Sequence, residues 1–228
     1  MDPQEFLEKV GKGNFPKGGG MFKIIGYIIA FMILFFVIRP VFIKIKMIEP
    51  GYTGIKINKM INKGVSKENI VTGFVFYCPL FTNIVQYPTF MQRVAWTHDV
   101  NEGRPVNEEL TFNTKDSVPV NIDAAVSYIL EQHKVPDFYT QFRADKIETF
   151  THGFLRDTTR NIVTQIGSEY TFDEINGQKK EEFLSRVAKA LHDGVLVYGI
   201  SIQQFGLIGS LRPPVDLLNA VSAKTKAI

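Results

Sequence analysis

The sequence predicts an α+β domain carried behind an N-terminal transmembrane helix, and three observations predict it. Ile24 to Ile38 is a run of fifteen uncharged, mostly apolar residues. Val118, Val120, Ile122, Ala124, Val126, Tyr128 and Leu130 are apolar at alternate positions, the period of a strand with one buried face. From Lys146 the period becomes helical, with Ile147, Phe150, Phe154, Leu155, Ile162, Val163 and Ile166 on one side. Strands followed by helices make an α+β order and not alternating βαβ units.

Composition narrows the class further. At 228 residues the chain is long enough for a real core, and 45% hydrophobic with 21% charged residues excludes a disordered chain. The single cysteine, Cys78, excludes a disulfide-stapled scaffold and a Cys-rich zinc site. A mean hydropathy of +0.00 excludes a polytopic membrane protein. Residues 1–45 hold six basic residues (Lys9, Lys12, Lys17, Lys23, Arg39, Lys44) against three acids, and the remainder is electroneutral with 20 of each. A nucleic-acid binder would carry its surplus charge on the docking domain, so no nucleic acid is expected as a partner.

Taken in order, residues 1–20 read as a flexible tail, Gly-rich from Gly11. Gly18-Gly19-Gly20 follows no strand and does not make a phosphate loop. Residues 21–45 read as the membrane anchor. The uncharged run spans roughly 22 Å against a hydrocarbon core of ~30 Å, and the flanks supply the difference. Lys23 and Arg39 bracket it with stems in hydrocarbon and charges among headgroups, and Ile24, Phe31, Phe35 and Ile38 face the acyl chains. No A-x-A-like site follows Ile38, so the segment reads as an uncleaved anchor. A hairpin turning at Gly26 and Pro40 stays open as an alternative. Four basic residues before the run against three after it place the N-terminus in the cytoplasm and the body opposite. Beyond Pro40, Phe42, Lys44 and Lys46 begin an apolar run interleaved with lysines, which suits the membrane interface. The sheet portion, roughly residues 50–130, is therefore expected against the membrane, with the helices projecting away.

The body is expected over 46–210, strand-rich over 46–131 and mainly helical over 132–210. After the Pro50-Gly51 turn come strands at Thr53–Asn58, Gly73–Cys78, Ile84–Tyr87 and Gln92–Thr97. Lys115-Asp116-Ser117 turns Leu110–Asn113 onto the long alternating strand, and Pro119 belongs at that strand's start or edge. Thr171 with Glu174 fits a capping box. A helix through Phe183, Val187, Leu191 and Val195 ends at Gly199, and Ile200–Phe205 is a further strand. Residues 211–228 read as the start of a C-terminal helix, with Pro213-Pro214 at its opening and Asp216 in its first turn. That helix shows no stop signal, and is expected to continue or to pair with neighbours.

No catalytic constellation emerges. His98, His133, His152 and His192 are scattered without metal-ligand spacing and read as surface or interface residues. Cys78 reads as a small buried hydrophobe. Glu108-Glu109 and Glu181-Glu182 read as solvated charges. Neither a nucleophile elbow nor a phosphate-binding loop is present. No catalytic, cofactor-binding or metal site is expected, and no cofactor.

Several pieces then fall into one order: the anchor, Ile48-Glu49-Pro50-Gly51-Tyr52-Thr53-Gly54-Ile55, Gly73-Phe74-Val75-Phe76 with Cys78-Pro79, and Thr114-Lys115-Asp116-Ser117-Val118-Pro119-Val120. Ala125-Val126-Ser127-Tyr128, Tyr198-Gly199-Ile200-Ser201-Ile202 and Leu211-Arg212-Pro213-Pro214 follow. In this the chain resembles the stomatin–prohibitin–flotillin (SPFH, band 7, prohibitin-homology) superfamily over about residues 24–228, its prohibitin-like or bacterial protease-regulator branch above all. The resemblance implies a mixed sheet with helices and a non-enzymatic scaffold. It implies homo- or paralogue hetero-oligomeric rings or cages that enclose a membrane microdomain. It also implies membrane lipids and membrane complexes, an AAA+ protease among them, as partners, and a bacterial or mitochondrial inner-membrane type of location. Family members carry a long coiled coil after this domain, and only its first turns fall within residues 211–228. Two other readings stay open, a membrane-anchored hydrolase and a monomeric lipid-binding module.

Overall fold

A helix apolar all round and a body of alternating strands and amphipathic helices fall into separate units of the chain. The computed structural model describes residues 19–60, 70–143 and 146–214, and within the first helix the side chains of Ile24 to Phe36 and Phe42. The expected tail, the flanking Lys23, Ile38 and Arg39 side chains, and the helix expected from Asp216 onward lie outside the described residues. The first unit joins Met1–Ile45 with Phe76–Leu80, and the second joins Lys46–Val75 with Phe81–Ile228.

In the first unit, helix α1 runs Gly19–Phe42, 24 residues. It starts two residues inside the expected tail and stops before the expected anchor does, because Lys44–Ile48 is already strand β1. Its described large apolar side chains are between 45% and 75% exposed, with no face withdrawn from solvent. Among the described residues no helix is long and apolar enough to cross a membrane. The described side chains from Ile24 to Phe36 account for ~20 Å of helix, about two thirds of a hydrocarbon core.

The second unit is organised around one strand. Strands β2 (Tyr52–Asn58), β3 (Ile70–Val71) and β5 (Thr82–Pro88) form an antiparallel sheet in the order β3-β2-β5. Strands β1 and β4 (Gly73–Tyr77) form a two-stranded sheet. Strand β8 (Pro119–Leu130) pairs antiparallel with β6 (Gln92–Trp96), β7 (Leu110–Asn113) and β9 (Ile200–Arg212). Val120, Ile122, Ala124, Val126, Tyr128 and Leu130 are all buried, as the period of two requires. Each larger one contributes ~1.5–3 kcal/mol by leaving water. Pro119 opens the strand, where its missing N–H breaks no interior ladder bond.

Helices cover the buried face. A short 3₁₀ turn leads into α2 (Val135–Phe142), then α3 (Ile147–Phe150), a π-helical stretch Thr151–Leu155, and α4 (Arg156–Gly167). After α5 (Phe172–Asn176), α6 (Lys180–Leu196) buries Phe183, Val187, Leu191 and Val195. Phe138 packs edge-on against Tyr87 and Phe150, with ring centroids 5.5 Å and 5.0 Å apart, joining the helices to β5. Gly167 lets α4 lie on β7, for a Cβ there would stand 2.3 Å from the Phe112 ring. Gly199 makes the turn into β9 with φ +81°, and a Cβ there would meet Lys134 at 2.3 Å. The Thr171–Glu174 capping box is formed in both directions.

The structure differs from the sequence reading at β9, at Cys78 and at Glu108 and Glu109. The strand expected at Ile200–Phe205 continues to Arg212, so Leu211 and Arg212 belong to β9 and not to a C-terminal helix. Irregular register at Asn121/Asp123 and Ser127/Tyr128 breaks the alternation that would have revealed it. Cys78 lies just past β4 and is only half-buried. Glu108, read as solvated, is 6% exposed, and Glu109 beside it is half-buried.

Candidate membrane-facing surface

Single exposed apolar side chains are ordinary, but a contiguous run of large ones marks a contact surface. In the first unit, Ile24, Phe31, Phe35 and Phe42 of α1 are exposed, and Ile43 and Ile45 continue that character beyond the helix end. The same unit contributes Phe76, 65% exposed, and Leu80. Large contiguous apolar exposure of this kind marks a membrane or protein contact.

The strands repeat the pattern with a period of two. On β1, Ile45 and Met47 are exposed while Ile48 is buried. On β4, Phe74 and Phe76 are exposed while Val75 is buried. Within the second unit Phe74 is 71% exposed, and Phe81 is also exposed. Each such ring would contribute ~1.5–3 kcal/mol on leaving water for hydrocarbon.

The two expected interfacial lysines differ. Lys44 is exposed, whereas the Lys46 ammonium donates a 3.0 Å hydrogen bond to the Ile84 carbonyl of its own domain. Phe42 is exposed beside them along the chain. Phe74, Phe76, Leu80 and Phe81 are exposed apolar residues that the sequence reading did not single out. The aromatic alternation in Gly73-Phe74-Val75-Phe76 was their signal. Alternation alone does not say which face is wet.

At the far end of β9 the chemistry is ionic. Arg212 donates from both terminal nitrogens to Asp123, at 2.6 Å each, and from one of them to Glu109 at 2.8 Å. The His98 N–H donates to Asp123 as well, at 2.8 Å. Hydrogen bonding from Arg212 holds the Asp123 carboxyl below its ordinary range, outweighing the opposing effect of burial. Burial opposes ionisation of Glu109, but hydrogen bonds from Asn107 and Arg212 overcome it and lower that carboxyl too. Arg212 is raised by the same hydrogen bond to Asp123. This bidentate fork fixes the end of β9 immediately before Pro213-Pro214.

The histidines serve separate local structures. His133 is exposed beside Glu131, and the His192 ring lies 3.2 Å from the Ile202 carbonyl. Among the described residues no group of three or more His, Cys, Asp or Glu side chains is placed to hold a metal ion. A comparison with curated proteins finds none that matches the chain. The family model for the SPFH domain / Band 7 family matches residues 46–228. The chain therefore belongs to the SPFH domain / Band 7 family, whose members are membrane-associated and generally non-enzymatic scaffolds or regulators.

Proposed function

We propose that the chain is a single-pass membrane scaffold whose copies associate side by side into a ring or cage. In this reading the apolar segment around α1 crosses the bilayer with the N-terminus cytoplasmic. The domain then stands on the opposite face of a bacterial or mitochondrial inner-membrane type bilayer. The assembly organises a membrane microdomain or restrains a membrane protein, an AAA+ protease being the expected partner class.

One observation carries the reading. The first unit exposes apolar side chains on every face of α1 and continues them through Ile45 and Phe76, so a bilayer is the one solvent that satisfies all of them. The electroneutral body supports close packing of copies, since little net charge repels one from the next. Extraction into mild detergent followed by light scattering on a sizing column tests the proposal. A particle of many subunits is expected. A monomer near 25.8 kDa of protein mass would overturn lateral assembly.

A further inference from the structure

The body is electroneutral only as a whole. Residues 46–98 hold six basic residues (Lys46, Lys56, Lys59, Lys63, Lys67 and Arg93) against two acids (Glu49 and Glu68), a net of +4. Residues 99–228 hold 14 basic against 18 acidic residues, a net of −4. The split follows the architecture. Strands β2, β3 and β5 pair only among themselves, and the acid-rich stretch supplies β7, β8, β9 and every described helix of the second unit.

Lysines and exposed apolar side chains of the strand-rich part meet at one end of its sheet. The turn at Gly51 lays β1 back on β2, so that a Cβ at Gly54 would stand 2.9 Å from the δ-methyl of Ile48. Two residues further from the turn on each arm, the Lys46 ammonium donates to the Ile84 carbonyl at 3.0 Å, and Lys56 pairs across the strands with that same Ile84. Beyond them the Lys59 N–H donates to the Phe81 carbonyl at 2.8 Å. At this end Lys59 is exposed, as are Met60 at 63% and Phe81 at 45%. Neither Lys46 nor Lys56 forms an ion pair among the described residues, and a carbonyl partner leaves the Lys46 charge uncompensated. Glu49 lies at the Gly51 turn, the opposite end, where its carbonyl accepts from the Tyr52 N–H.

We propose that this end of the second unit is a headgroup-selective contact for anionic phospholipid, with Lys56 and Lys59 at the phosphates and Met60 and Phe81 in the acyl boundary. The inference rests on the membrane reading above and adds the headgroup to it. Apolar side chains alone accept any bilayer, whereas a positive end without a carboxylate selects a negative one. Each lysine at such a surface strengthens the contact roughly fivefold. The same surface repels the helical part with its net of −4, so the charge split also sets which end approaches.

The test uses the full chain carrying Phe81→Trp, with Met60→Trp as a second reporter should the first lower the melting temperature. Vesicles of phosphatidylcholine with about 20% phosphatidylglycerol are made twice, with acyl bromines on the phosphatidylglycerol or on an equal amount of phosphatidylcholine. Composition is then identical, and only the quencher changes headgroup. Brominated phosphatidylglycerol should quench the added tryptophan at least ~threefold more, and about 1 M NaCl, with a Debye length of ~3 Å, should erase the difference. Lys56→Gln combined with Lys59→Gln should erase it too at unchanged thermal stability, whereas Lys189→Gln on α6 should leave it intact. Flotation with the vesicles reads the membrane segment separately, and a protein that fails to float strikes the membrane reading itself. In protein that floats, equal quenching by the two lipids, quenching by neither, or a preference that survives the double substitution would overturn headgroup selection alone.

Discussion

Strands β4 and β8 obey the same period of two but turn their bulkiest side chains to opposite sides, outward on β4 and inward on β8. On β8 the bulky apolar residues from Val120 to Leu130 point into the core, while Asn121 and Ser127 stay half-exposed on the other face. On β4 the two phenylalanines point out and the smaller Val75 points in. Alternation fixes which residues share a face. What that face touches depends on the neighbour available, a helical layer for β8 and, in the proposed reading, a bilayer for β4.

Substitutions should separate the two kinds of face by stability. Val126→Asp places an unpaired charge in the core and should cost more than ~4 kcal/mol, enough to unfold a domain of ordinary stability in a urea titration. Arg212→Gln comes next, and its effect depends on pH. Asp123 and Glu109 have lowered folded values, so their contribution is present above their ordinary values of 3.8 and 4.5 and is lost as pH falls through the folded ones. Wild type should therefore lose stability steeply below about pH 4, and Arg212→Gln should start lower and fall less. Equal acid profiles for the two proteins would remove the fork from the account. Thr171→Ala deletes one half of the capping box and should cost ~1 kcal/mol in the same titration. The smallest change belongs to Phe74→Ser, expected within ~0.5 kcal/mol of wild type because the ring is outside the core. A loss comparable with Val126→Asp would mean that β4 packs as β8 does.

How much was legible in the sequence follows the same division. The β8 face, the hairpin from β7, Pro119 at the strand start and the Thr171 capping box all rest on spacings of a few residues, and all were readable. Helix α2 was not, because eight residues with Pro136 inside give too short a period to stand out. The burial of Glu108 and Glu109 was hidden for another reason. Their partners His152 and Arg212 lie 44 and 103 residues away in sequence, and nothing local announces either pair. The exposed phenylalanines of β4 were readable as a strand, but not as an outward face, since sequence period carries no sign of solvent.

The claim that β4 faces hydrocarbon is tested most directly by fluorescence. The single natural tryptophan, Trp96, is fully buried and gives a constant background. A Phe74→Trp protein reconstituted into vesicles containing lipids brominated along the acyl chain should gain a blue-shifted emission that those lipids quench, with wild-type emission unaffected. Added emission at the wavelength of water-exposed tryptophan, untouched by brominated lipid, would contradict the account.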